Sequence, residues 1–122
     1  MQLNQKTWLI ADMYYPSESK PGTVHSHEAV CVLNPSDRDA HLEIALYFKD
    51  REPIALQHCT CPARRTSHVR MDIAKTADGS GVPQDIPYAA LVNSDMEIAV
   101  QYSRADAHQE ALAMMTTMAH PL

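Results

Sequence analysis

The sequence predicts an all-β fold, a single-domain antiparallel β-sandwich of about seven to eight strands covering residues 1–122. Three observations carry that expectation. Short apolar runs recur along the chain, and its eight prolines fall between them as punctuation. One run, His41 to Lys49, alternates with a period of two. A chain of 122 residues is also long enough for one hydrophobic core and too short for two.

Taken in order, Thr7 to Met13 is the first strand, and the proline-bearing loop Tyr14 to Thr23 follows it. Glu28 to Leu33 is the second strand, apolar at every position from Ala29 to Leu33, as a strand buried on both faces would be. The stretch from Asn34-Pro35 to Asp39 is a turn, because asparagine and aspartate fold onto their own backbone while proline fixes φ. In His41 to Lys49, Leu42, Ile44, Leu46 and Phe48 share one face, which makes a half-buried strand. Ile54 to Cys61 is the next strand; Pro62 ends it because proline cannot donate to a ladder. Thr66 to Met71 follows.

Asp72 to Gly79 reads as one helical turn, with Asp72 as its N-cap and Gly79 supplying the positive φ that ends it. A loop leads to Tyr88 to Val92 and Met96 to Ser103, two strands joined through a tight hairpin-like turn at Asn93-Ser94-Asp95. The tail from Asp106 to Ala119 alternates poorly and is rich in Ala, Leu, Met and Glu, so residue propensity alone favours a helix there.

Composition narrows the function. Ten Lys and Arg against fifteen Asp and Glu give a net charge of −5, which argues against a nucleic-acid or anionic-membrane partner. No apolar stretch reaches the length of a membrane span, and Asp12 interrupts the opening run before it resembles a signal peptide. Three cysteines, two of them at Cys59 and Cys61, do not form a disulfide framework, so a cytoplasmic location is expected.

Seven histidines invite a search for metal chemistry. His25 and His27 project to the same side of a strand, as two imidazole ligands of one metal must. The carboxylate that a cupin-type site adds about four residues later is missing, because Val30 to Leu33 are apolar. Cys59 and Cys61 share a face opposite His58 and Thr60, so they read as small core residues and not as an activated thiol pair. Phosphate-loop, nucleophile-elbow and zinc-protease motifs do not occur, so the chain is expected to be no enzyme and to carry no cofactor.

The clearest signal is electrostatic. Pro53 to Met71 contains Arg64, Arg65 and Arg70 and no acidic residue, a window of +3 in a chain of net −5. In extended geometry Arg64, Thr66, His68 and Arg70 share one face. Guanidinium groups donate in a rigid planar fork, so such a strip suits an anionic or polyhydroxyl ligand. The alternative is that these arginines pair with neighbouring carboxylates.

Four runs in order, Ser26 to Asn34, Asp39 to Pro53, Cys61 to Arg70 and Ala99 to Asp106, resemble the Anabaena sensory rhodopsin transducer family. The resemblance extends from about Trp8 to Ala119. It implies a cytoplasmic β-sandwich assembled as a homotetramer, without catalytic machinery, that binds or senses a small molecule such as a sugar or related metabolite. A membrane photoreceptor or another signalling protein is the further partner it implies.

Its polar positions fall on Trp8, on Ser26, His27 and Glu28, on Arg64, Arg65, His68 and Arg70, and on Gln101 and Arg104. The ligand site implied is therefore Trp8, His27, Glu28, Arg64, His68, Arg70, Gln101 and Arg104, with Trp8 stacking on the ligand and the arginines holding its oxygens. Gln101 and Arg104 lie three apart, so a bulge is needed to aim both at one pocket. The resemblance also makes the tail a strand. Two other readings stand beside this one: a protein-interaction transducer without a ligand, and a metal-dependent enzyme using His25 and His27.

Overall fold

Two antiparallel sheets enclose one apolar layer, and no described residue is helical. The computed structural model describes residues 5–17, 25–107 and 112–122. Ten strands run in the order β1 (Thr7–Tyr14), β2 (His27–Asn34), β3 (Ala40–Tyr47), β4 (Ile54–Ala55), β5 (Cys59–Cys61), β6 (Arg65–Arg70), β7 (Pro87–Ser94), β8 (Ala99–Asp106), β9 (Ala113–Met118) and β10 (His120–Pro121). The first sheet has the order β10-β1-β7-β3-β4, with β5 also paired to β3; the second is β6-β2-β8-β9.

The core follows from period two. Leu42, Ile44 and Leu46 of β3 point inward with Ala90 and Val92 of β7, and they meet Val30, Val32, Val100 and Tyr102 of the second sheet. A bulge in β1 sets Ile10 opposite Ala90 but Met13 opposite Tyr88, so the strand spends one extra residue between them. Trp8, Ile10 and Met13 are consequently all buried although their spacing is uneven.

Several boundaries differ from expectation. Ile54 to Cys61 is broken into β4 and β5: the Leu56 amide still donates to the Ile44 carbonyl of β3 at 2.8 Å, but Leu56 also bridges Thr76, and the Gln57 amide turns away to the Lys75 carbonyl at 2.8 Å. That break and the short β10 raise the strand number among the described residues to ten. The Asp72 to Gly79 stretch forms no helix; a single helix-like turn precedes and overlaps its start, where the Ala74 amide reaches back to the Arg70 carbonyl at 3.0 Å, after which Thr76 joins the bridge. Gly79 does take a positive φ of 86°.

Asn93 to Asp95 is no hairpin: β7 and β8 belong to different sheets, and the chain crosses between them. The tail is strand β9 over Ala113–Met118, paired with β8, so tertiary pairing overrides helix propensity there. Residues 108–111 of the predicted tail element, and 18–24 of the predicted first loop with Gly22, lie outside the described residues.

Candidate functional site

The register of the second sheet decides which predicted residues meet. Along β2, Glu28, Val30, Val32 and Asn34 face the core, whereas His27, Ala29, Cys31 and Leu33 take the outer face. On β6, Arg70 pairs with Ala29, His68 with Cys31 and Thr66 with Leu33, so all three take the outer face as the alternation predicted. On β8, Ser103 pairs with Ala29 and Gln101 with Cys31 on that face, while Arg104 pairs with Glu28 on the inner one. Pairing runs without interruption from His27 opposite Ala105 to Leu33 opposite Ala99, so no bulge brings Gln101 and Arg104 to one face.

A groove of 460 Å³ opens on this outer face. His27, His68, Arg70 and Arg104 line it together with Ser103 and Thr116, and Met114 and Met115 of β9 form its apolar side. A second hollow of 300 Å³ continues along the same face, sharing Cys31 and His68 and adding Gln101 and Met118. Of the eight predicted residues, four therefore border the groove, Arg104 with its guanidinium turned inward to Tyr102, and Gln101 lines its extension.

The other three go elsewhere. Trp8 is 5% exposed in the core and cannot stack on a surface ligand; its indole Nε1 has no partner among the described residues. Arg64 sits in the turn between β5 and β6 at a φ of 55°, which takes its side chain out of the strand's alternation. Arg65, in β6, folds back on that turn and donates to the Arg64 carbonyl at 3.1 Å.

Glu28 is buried beneath the groove at 1% exposure, and the fold surrounds it with donors. Tyr88 Oη donates to Oε1 at 2.6 Å, the Tyr14 amide donates to Oε2 at 2.7 Å, and Tyr102 Oη also donates to Oε2. Arg104 Nη2 lies 3.6 Å from the same carboxylate oxygen. Arg104 Nε donates to Tyr102 Oη at 2.8 Å, and its guanidinium stands 5.6 Å from the centre of the Tyr102 ring. The β1 bulge aims the chain at this cluster, since Arg104 Nη2 also reaches the Asp12 carbonyl at 3.5 Å.

A buried carboxyl group needs hydrogen-bonding partners, and Glu28 has three donors beside a guanidinium. Burial, followed by the negative charge of Glu28, pushes the Tyr88 hydroxyl far above the ordinary tyrosine range. For Tyr102 burial again leads, followed by its hydrogen bond to Glu28. Both phenols thus remain donors.

Arg70 is clamped differently. Its Nε and Nη2 donate to the two oxygens of Asp72 at 2.9 and 2.8 Å, a bidentate pair that holds the guanidinium charged and leaves Nη1 for another acceptor. His27 Nδ1 lies 2.9 Å from the His25 carbonyl, which orients its ring. Among the described residues, no three His, Cys, Asp or Glu side chains come together as a metal site. Chemically, the arrangement can bind and orient a small molecule.

The β9 methionines and Tyr88 escaped the sequence reading. Met114 and Met115 were read within a helix-prone tail, and only pairing with β8 places them beside Ser103 and Arg104. Tyr88 and Tyr102 meet Glu28 across 60 and 74 residues of chain, a separation that leaves no local signal. A separate hollow of 400 Å³ lies by the first sheet, with His41, Glu43 and His58 on it; His41 Nδ1 is 2.8 Å from Asp95 Oδ2.

The profile of the family described as Anabaena sensory rhodopsin transducer matches residues 3–121. Among solved structures, the chain is similar to the crystal structure of Thermotoga maritima 1070 at 27% identity and a TM-score of 0.83, covering 98% of this chain and 96% of that one. It is also similar to the Anabaena sensory rhodopsin transducer at 38% identity and a TM-score of 0.72, covering 84% of this chain and 89% of that one. No match emerges among curated protein sequences.

Proposed function

The chain belongs to the Anabaena sensory rhodopsin transducer family, and from that premise we propose that it is a non-enzymatic, cytoplasmic, transducer-like protein that binds a small polar or anionic molecule, such as a sugar or related metabolite. The groove on the outer face of the β6-β2-β8-β9 sheet is the binding site. One observation carries this reading: cross-strand register brings His27, His68 and Arg70 to one face, where they line a single groove with Arg104. Imidazole and guanidinium groups on a half-open surface suit an oxygen-rich ligand, and Arg70 retains Nη1 for it. Glu28 acts from below as a positioning residue, by holding Tyr102 and Arg104.

Assembly as a homotetramer, and contact with a membrane photoreceptor or another signalling protein, belong to the same proposal. Strand β9 supports them. It ends its sheet, carries no charged residue, and leaves Met118, beyond the groove, exposed at 55%. Unprotected apolar edges of this kind are usually covered in the working assembly.

A thermal-shift screen of the purified chain against sugars, sugar acids and phosphates tests the ligand. A compound that binds only the native state raises the melting temperature, and Arg70→Gln abolishes that rise. Silence across the panel, or a rise that survives in both Arg70→Gln and His68→Gln, contradicts the proposed site and leaves the protein-contact reading.

A further inference from the structure

We propose that the groove selects an amphipathic organic anion, one acidic head on a hydrocarbon body, over a polyhydroxyl sugar; this rests on the groove being the ligand site. The groove is asymmetric across its strands. Arg70 and His68 come from β6 on one side, whereas Met114 and Met115 come from β9 on the other. Between them β2 and β8 supply Ala29, Cys31 and Ala105 together with His27, Ser103 and Arg104, so the two walls are separated by mixed surface. A charged head and an apolar body would each meet a matching wall.

Sugar recognition makes other demands. A pyranose needs acceptors for its hydroxyl protons, usually carboxylates or amides, and an aromatic face for its C–H surface. No Phe, Tyr or Trp and no acidic side chain is among the described residues lining the groove, whose only rings are the imidazoles of His27 and His68. Trp8, the residue expected to stack on a ligand, is buried in the core, and Glu28 is sealed under Tyr102 and Tyr88. The two hydroxyls in the groove are already engaged with each other, Ser103 Oγ donating to Thr116 Oγ1 at 3.2 Å. Methionine adds the opposite bias: its unbranched, polarisable thioether adapts to hydrocarbon chains of varied shape. Met114, opposite Ala105 on the groove's face, is 74% exposed, so it has apolar surface available for burial.

Three probes with six carbons each separate the terms. Hexanoate has the head and the hydrocarbon, gluconate has the head with hydroxyls, and 1-hexanol has the hydrocarbon without charge. Calorimetric titration of the full chain is expected to show hexanoate binding at least ten-fold more tightly than either of the others. Arg70→Gln weakens hexanoate and gluconate alike. Met114→Gln, an exposed change on an edge strand that leaves the core untouched, removes the advantage of hexanoate over gluconate.

Gluconate binding as tightly as hexanoate overturns the amphipathic preference while the groove stands as a site for polar anions. Hexanol matching hexanoate overturns the requirement for a charged head. If none of the three binds while a neutral sugar does, and that binding is lost in His68→Gln, the groove stands and the amphipathic class falls. If no probe or sugar binds at all, the groove reading falls with it.

Discussion

At the residue scale, the buried carboxylate of Glu28 organises its surroundings more than any arginine does. Tyr88 and Tyr102 must stay protonated to donate to it, and both hydroxyls hold their protons well above the ordinary tyrosine value. Above pH of about 10 the unfolded chain releases these protons and the folded chain retains them, so stability falls as pH rises. The expected loss is about 1.4 kcal/mol per pH unit for each tyrosine, measured by urea unfolding between about pH 10 and 12. Tyr102→Phe should roughly halve that slope; an unchanged slope would place the titration elsewhere.

Arg64 makes the opposite case. Its φ of 55° is strained for a side chain with a Cβ and free for glycine. Arg64→Gly is therefore expected to keep or raise stability, by up to about 1 kcal/mol, and to leave anion binding at the groove unchanged. A clear loss of binding would return Arg64 to the site.

At the element scale, the joints are held by side chains as much as by ladders. Asn34 ends β2 fully buried and ties the following loop together. Its Nδ2 donates to the carbonyls of Arg38 at 2.7 Å and Cys61 at 3.0 Å, while its Oδ1 accepts from the Ser36 amide and hydroxyl. Asn34→Ala strands these partners and should cost about 2–3 kcal/mol in chemical denaturation. Ligand affinity should hold, because Asn34 and His27 mark opposite ends of β2.

The same scale explains what could be read from the sequence. Strand β3 was plain because one of its faces is buried and the other is wet, the condition under which period two appears. Glu28 to Leu33 looked buried on both faces, yet Leu33 is 49% exposed; the apolar outer face lines an open groove and its extension. Strand β9 is legible only through the family resemblance, because its residue types favour helix and its six positions are all exposed, so no alternation forms. The basic strip was legible in part: parity placed His68 and Arg70 correctly, but it could not foresee the turn that removes Arg64.

At the scale of the whole molecule, the sandwich separates two tasks. The inner faces of both sheets build the core, while the outer face of the second sheet carries the groove, its extension and the uncharged edge β9. Light scattering at micromolar concentration is expected to return four times the chain mass, and Met118→Lys at that edge should weaken the assembly. A monomer would contradict the tetramer and leave β9 uncovered.

The account's central claim concerns where a small anion binds, and backbone-amide chemical shifts report that location directly. On titration with hexanoate or gluconate, shifts are expected at His27 to Cys31, His68 to Arg70, and Ser103 to Ala105, with Arg70→Gln suppressing them. Shifts confined to the hollow around His41, Glu43 and His58, or persisting unchanged in Arg70→Gln, would contradict it.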